Sequence, residues 1–390
     1  MMKIVLFSHP AFLGQQSMPR FTNMLFDNLS ARGYQVEIYS PKGYFSKLRF
    51  GAALKKWLGY IDQFAIFPFI VKRLIKENTD AVYVFTDHAL GMWVPMVKDL
   101  PNLIICHDFL AQRSAEGEIP QNPTGRSGIV YQRLIRKGYT RADNFVSVSQ
   151  KTQQDLHRFL DRKPALSKVI YNGLNKKFEP IASNTAREII GNKIGLNLSN
   201  GYILHVGGNQ WYKNRVGVVK IYNAWRAKYN NLLPLLLIGV TPSAALKQEI
   251  SKSAYSDNIY VLDKISDDYI SAAYSGAITL LYPSLAEGFG WPIAEAMQAG
   301  CPVITTNEAP MTEVGGNAAK YIPVMPNNKE DLNIWLINAA QQLNQIIQLD
   351  SLKRNQLINN GFVNAQRFNT ISAIDKLEDV IKAVYQLKKH

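Results

Sequence analysis

The 390-residue chain is poor in cysteine, with only Cys106 and Cys301. Two thiols in apolar surroundings build no disulfide framework; they read as buried, reduced side chains, which suits a cytoplasmic protein. Long hydrophobic runs are missing too. The longest, around 64–71 and 232–240, fall far short of the roughly 20 residues that a membrane-spanning helix needs. The opening MMKIVLFSHP holds one Lys and an apolar run broken by Ser8, His9 and Pro10, so it reads as a first strand rather than a secretory signal. Acid is scarcer than base: 44 Lys and Arg stand against 30 Asp and Glu, a formal charge of +14. The imbalance is local, since residues 1–180 carry 25 basic and 14 acidic side chains. An anionic partner for the first half would explain it, whether membrane surface, nucleic acid or acidic substrate, and plain solvation of Lys and Arg explains it equally well. Short-period repeats and low-complexity tracts are absent. With 47% hydrophobic and 19% charged residues the chain is expected to fold throughout, and its length calls for two or three cores.

What is present is a repeated alternation. Runs rich in Val, Ile and Leu at 3–8, 36–40, 81–86, 102–108, 144–149 and 168–172 are separated mostly by helix-compatible stretches. A second series follows at 202–207, 233–240, 259–263, 277–284, 302–306 and 319–324. Such spacing marks βαβ units around a parallel sheet, so the chain is α/β and runs a doubly wound plan twice. Residues 174–200 read as polar and irregular, with Pro180, Gly191 and Gly195, which puts a domain junction near 175–185. Past 325 the pattern is helical, ending at 371–388 with Ile371, Ile374, Leu377, Val380, Ile381, Val384 and Tyr385 three and four apart. Ligands of doubly wound sheets bind beyond the carboxyl ends of the strands, so chemistry is expected in the loops that follow them.

The richest such loop lies in 283–304, PSLAEGFGWPIAEAMQAGCPVI. A strand ends at Leu281–Tyr282, Gly288 and Gly290 follow, and Pro292 sits where a helix would begin. Glycines admit close backbone approach, and successive amides with a positive helix end make a seat for a phosphate or an oxyanion. Glu287 precedes this loop and Glu295 is expected in the first helical turn, so both carboxylates can accept from the hydroxyls of one bound sugar or ribose. Each Glu could equally be a charge that favours the helix dipole.

Glu287 and Glu295, eight positions apart around GFGWP and AMQAGCPVI, resemble the E-x7-E signature of retaining glycosyltransferases of family 4, the GT-B type. The resemblance implies two Rossmann-like doubly wound domains facing across a cleft, with C-terminal helices closing the structure. It sets an acceptor-binding domain at 1–178, a nucleotide-sugar-binding domain at 179–365 and a helix at 366–390 packing back toward the first. It also implies transfer of a hexose from a nucleotide diphosphate sugar to a hydroxyl acceptor, a glycan or lipid-linked glycan, with retention, no cofactor and no metal. Lys213, in ILHVGGNQWYKNR, is similar to the Lys that reaches the donor diphosphate, where a cation stabilises growing charge. Gly208 and Tyr212 stand where relatives often carry an Arg, and Arg215 is the candidate second cation. Glu287 with Lys213 would serve the reacting bond, and Glu295 would hold the ribose. Gly288, Phe289, Gly290, Trp291, Gly14 and Gly208 would line the donor, and Ile265 falls where backbone groups meet the base. His107, in a His-Asp pair after a strand, resembles the residue that approaches the transferred sugar; Asp108 either joins the acceptor side or caps the next turn. Gln15 and Arg20 are further acceptor-side candidates.

Residues 42–76 hold eight basic side chains against Asp62, with eight aromatics among them. Leu54, Trp57, Leu58 and Ile61 share a helical stripe that either lies on an anionic membrane or packs as core. The first reading makes the protein peripheral at the inner membrane face. A glycoside hydrolase, or a phosphorylase-like enzyme, would also use paired carboxylates. A basic nucleic-acid binder would explain the charge but lacks a recognition motif, so nucleic acid is not an expected partner. A dehydrogenase would need G-x-G-x-x-G after the first strand, which is absent.

Overall fold

The computed structural model describes residues 2–14, 17–47, 52–174, 176–263 and 265–387. The chain divides into two compact units, Met1–Asn175 with Thr370–His390, and Lys176–Asn369. The first contains a parallel sheet of Lys3–Phe7 (β1), Gln35–Tyr39 (β2), Ala81–Phe85 (β3), Asn102–Cys106 (β4), Asn144–Ser147 (β5) and Leu166–Val169 (β6), in the order β2-β1-β3-β4-β5-β6. The second contains Ile203–Val206 (β7), Leu235–Ile238 (β8), Ile259–Leu262 (β9), Thr279–Tyr282 (β10), Val303–Thr306 (β11) and Ala319–Ile322 (β12), also parallel, in the order β12-β11-β10-β7-β8-β9. Each expected strand is present, with ends shifted by no more than three residues. The short runs work as strands because both faces are covered: every residue of β3, β4, β8 and β10 is buried.

Two features depart from the sequence reading. The stretch read as irregular, 174–200, includes the helix Ser183–Ile194, which buries Ala186 and Ile190 one turn apart and stops at Gly195 in the left-handed region (φ 72°). Its polar composition concealed a helix with only a narrow apolar edge. Close packing is the second: just past β6, a Cβ on Gly173 would lie 2.4 Å from the Thr370 Cα, so this glycine has a structural cause that composition does not show. That contact belongs to the last helix, Thr370–Leu387, which is part of the first unit. There Tyr34 Oη donates to Glu378 at 2.6 Å and Arg32 pairs with both Glu378 and Asp375. Cys106 and Cys301 are buried free thiols, pushed up in pKa by burial, the latter to about 12.

The strand orders place a switch point in each sheet. In the first unit the winding reverses between β1 and β3, in the second between β7 and β10. Loops that leave neighbouring strands in opposite directions open a crevice there, beyond the carboxyl ends.

Candidate active site

At the second unit's switch point the loops after β7 and β10 meet. After β7 the chain passes Gly207 and Gly208 into the turn Trp211–Lys213, and Asn214 then caps the helix Arg215–Tyr229 by accepting from Gly217 N. After β10, Leu285 N donates to Tyr212 O at 2.8 Å and ties the two loops together. Gly290, at φ 99°, turns the chain into the helix Trp291–Gln298, a conformation that costs glycine little. The loop after β8 closes in from the side: at Gly239 (φ 154°) a Cβ would lie 2.0 Å from Gly207 O.

These loops bring Lys213 and Glu287 into direct contact. Lys213 Nζ lies 2.9 Å from both Glu287 carboxylate oxygens and donates at 2.6 Å to Tyr282 Oη, which in turn donates to Glu287 Oε1 at 2.6 Å. Glu287 is 8% exposed and Tyr282 is fully buried. Burial, then the adjacent carboxylate, pushes the Tyr282 phenol far above its ordinary range, so it stays a neutral donor. His205, at the end of β7, stacks on Tyr282 with ring centroids 5.9 Å apart. Burial drives its pKa down to about 3, and its Nδ1 faces Leu281 O at 2.9 Å. The platform beneath the ion pair is therefore uncharged.

Glu295 is the fifth residue of its helix, one place beyond the first turn where the sequence reading put it, because the helix begins at Trp291 rather than nearer the Glu. It is half-buried and accepts from Tyr274 Oη at 2.8 Å. Phe289, expected to line the donor, is buried against Phe368 (5.4 Å) and Trp291 (6.2 Å), so its ring is a packing element that anchors the loop and only its backbone remains for a ligand. Trp291 is half-buried, and its Nε1 is enclosed with no hydrogen-bond partner. Gly288 lies between the two carboxylate-bearing segments, while Gly208 packs beside the Gln210 amide, 2.5 Å from where a Cβ would stand. Arg215 is buried at the start of its helix, with Nη1 donating to Asn209 Oδ1 (2.8 Å) and Val240 O (3.0 Å), while its Nε and Nη2 have no partner. It braces the loops after β7 and β8 from within. Ile265 is half-buried just past β9.

In the first unit, His107 follows β4 and is 7% exposed. Its Nε2 lies 3.0 Å from Thr86 O and its ring stands edge-on to Phe21 at 4.7 Å. Burial lowers its pKa and keeps the imidazole neutral. Asp108 caps the following turn by accepting from Leu110 N at 2.9 Å. Gly14 ends the turn Ala11–Leu13 in the left-handed region (φ 69°) with open space around it, and Arg20 is exposed on the helix Ser17–Ala31. Gln15 lies outside the described residues.

A cluster the sequence reading passed over occupies this unit's own switch point. His9, after β1, places Nε2 2.8 Å from Asp87 Oδ2, and His88 Nδ1 lies 3.0 Å from Asp87 Oδ1. All three are buried. Burial alone would raise the Asp87 pKa, but the His88 ring beside it and the bond to His9 hold it well below the usual carboxylate range. The signal was available: TDHAL follows β3 as CHDFL follows β4, and the same attention to strand ends applies. Tyr282 and Tyr274 were missed because a Tyr within an apolar run reads as core.

Residues 186–362 match the family described as Glycosyl transferases group 1, and residues 18–178 the one described as Glycosyltransferase Family 4. Among curated proteins, the O-antigen chain mannosyltransferase RfbU of Salmonella typhimurium is 26% identical over 240 residues, 61% of this chain and 62% of that protein. The O-antigen chain mannosyltransferase B of Escherichia coli is 30% identical over 143 residues, 36% of this chain and 37% of that one. The aligned part thus spans less than two thirds of either relative. Among solved structures, sucrose-phosphate synthase from Thermosynechococcus elongatus covers 99% of this chain and 100% of its own at a TM-score of 0.74 and 17% identity. HepE of Anabaena, solved in complex with UDP-glucose, covers 98% and 100% at 0.68 and 16%. At such identity the structural likeness concerns the fold, two Rossmann-like sheets of the GT-B type. The two family matches together account for most of the sequence, and the chain belongs to Glycosyltransferase Family 4, the group 1 glycosyl transferases.

Proposed function

We propose that the chain moves a hexosyl group, mannose in the first instance, from a nucleotide diphosphate donor to a hydroxyl of a glycan or lipid-linked glycan, with retention at the anomeric carbon. The observation that carries this reading is the Lys213 ammonium held between Glu287 and Tyr282 at the switch point of the second unit. The names of the mannosyltransferase relatives supply the sugar class.

Breaking a bond between a sugar and a diphosphate piles negative charge on the leaving oxygen. A fixed ammonium backed by the amides of the 288–290 loop stabilises that charge more in the transition state than in the ground state. Lys213 takes this role, so turnover is expected to survive a chelator. Its three N–H directions are already engaged, so the donor diphosphate competes with Glu287 for it, and Glu287 in turn becomes free to accept from a sugar hydroxyl. Glu295 accepts from the ribose, with Tyr274 fixing its carboxylate. The unmatched N–H groups of Arg215 and Trp291, at the starts of the two helices that follow those loops, would support an anionic donor held there. His107, neutral and buried, is suited to hydrogen bonding a sugar hydroxyl rather than relaying protons. With the acceptor attacking on the face the diphosphate leaves, configuration is kept.

The test is a transfer reaction with GDP-mannose, UDP-glucose and UDP-N-acetylglucosamine, in chelator, with a diphosphate-linked lipid glycan as acceptor. Proton NMR of the product reads the anomeric configuration. Retention with acceptor-dependent release of nucleoside diphosphate supports the reading. Inversion contradicts the proposed mechanism, and free sugar formed equally fast without acceptor makes the enzyme a hydrolase.

A further inference from the structure

The contact between Lys213 and Glu287 leaves neither group a spare partner. The two Glu287 oxygens at 2.9 Å and Tyr282 Oη at 2.6 Å take up the N–H groups of the ammonium. Among the described residues, Glu287 is bonded by Lys213 and Tyr282 alone. Its side chain is 6% exposed and that of Lys213 15%, so little water reaches either. Aromatic faces enclose the ammonium instead: Nζ lies 5.4 Å from the ring centre of Tyr212 and 5.2 Å from that of Tyr282.

Turning this ammonium toward an anion therefore has a consequence for the carboxylate. Tyr282 Oη can still donate to Oε1, but Oε2 is left with nothing. A buried carboxylate oxygen without a donor is costly, because water is not there to replace the lost bond. The cost disappears when the incoming molecule brings a hydroxyl of its own to Oε2. A nucleotide sugar brings several. A nucleoside diphosphate, the molecule that remains once the sugar has gone, carries the same two phosphates and no hydroxylated group beyond them.

We infer that Glu287 tells the loaded donor from the spent nucleoside diphosphate: Lys213 stays turned to the phosphates while a sugar hydroxyl occupies Oε2, and returns to Glu287 when the sugar has left. The inference rests on the donor reading above and deepens it, since it gives the carboxylate a part in product release beside its contact with the sugar. Tyr282 makes the exchange possible. A neutral donor 2.6 Å from both partners, it holds Oε1 in place whichever way the ammonium turns. A bare negative charge at position 287 would act differently, repelling both phosphate-bearing molecules alike, with or without a sugar.

Calorimetric titration of GDP-mannose and GDP, and of UDP-glucose and UDP, into wild type and Glu287→Gln tests it, in chelator and without acceptor. Gln keeps nearly the shape of Glu and strands no charge when Lys213 turns away. For the pair that the wild type binds, the variant should bind the nucleoside diphosphate about tenfold more tightly and the nucleotide sugar no more tightly than before, since a charge-assisted bond to the sugar is lost. Glu287→Ala, the second variant, strands no charge either and should shift the ratio of the two affinities in the same direction. A ratio unchanged in both variants, whether or not the two ligands bind more tightly together, overturns the inference. Glu295→Ala is the companion: it removes a contact to the ribose, which both ligands carry, so it should weaken both and keep the wild-type ratio. A ratio shifted as far by Glu295→Ala as by Glu287→Gln overturns the assignment to Glu287. Affinities untouched by Glu295→Ala, with the ratio shifted by Glu287→Gln, remove the ribose role and support the inference. Failure of the wild type to bind any of the four ligands overturns the donor reading, and the inference with it.

Discussion

The two sheets share a plan and differ in what they put at their switch points. Between β7 and β10 the second unit sets an ammonium against a carboxylate, Lys213 and Glu287, over a neutral floor of Tyr282 and His205. Between β1 and β3 the first unit sets a carboxylate between two imidazoles, Asp87 with His9 and His88. The first arrangement offers a cation and backbone amides and suits an anion that gains charge. The second is turned inward, its buried carboxylate facing the two rings beside it. The doubly wound fold thus fixes where a ligand meets the sheet, while the residues after two particular strands fix which ligand it is.

The largest expected effect tests the second unit. Lys213→Met should lower kcat about 10²- to 10³-fold, the cost of one donor to a developing oxyanion. It should also lower the melting temperature, because Glu287 is left buried without its counter-charge. Adding Glu287→Gln should recover the melting temperature and leave turnover low; recovery of both would show that the pair is purely structural. Next, Asp87→Asn should cost about 1–3 kcal/mol of stability, since it weakens two bonds to a buried group, while nucleotide affinity stays as it was. Weaker nucleotide binding would break the separation between the two switch points. Tyr282→Phe removes one hydrogen bond to the carboxylate and one from the ammonium; about 1 kcal/mol corresponds to a severalfold drop in kcat with little change in nucleotide affinity.

The smallest effect lies outside both crevices. Bonds from Lys382, Tyr34 and Arg32 hold Glu378 at about 2, below its ordinary value of 4.5. A depressed carboxylate stabilises the fold above the unfolded value and loses that contribution as pH falls through the folded one. The melting difference between wild type and Glu378→Gln should therefore be full at pH 6 and shrink between about 4.5 and 2. A difference unchanged over that window would detach the last helix from this ion cluster.

Most of the fold was legible because central parallel strands such as β3, β4, β8 and β10 are buried on both faces and announce themselves as apolar runs, and the half-exposed edge strands β2 and β6 were read with them from the repeated alternation. The helix Ser183–Ile194 was not, since it packs only a thin edge and its Asn and Gly content reads as loop. The residues of the second unit's candidate site stood out because Glu287, Gly288, Gly290 and Glu295 fall within nine consecutive positions that resemble the family's E-x7-E signature. Its partner Tyr282 was hidden by its own burial. The first unit's cluster joins residues from two strand ends 78 positions apart, and only the strand order brings them together. In the basic, aromatic stretch 42–76, Trp57 and Ile61 of the expected stripe stand exposed, while the side chains of Leu54, Lys55 and Lys56 lie outside the described residues.

Calorimetric titration of nucleoside diphosphate into wild type and Glu295→Ala, in buffer containing a chelator, bears most directly on where the donor is held. The account expects the wild type to bind without metal and the variant to bind about tenfold more weakly, the worth of one charge-assisted hydrogen bond. Equal affinity in the two proteins, or no binding to the wild type until a divalent cation is added, would contradict it.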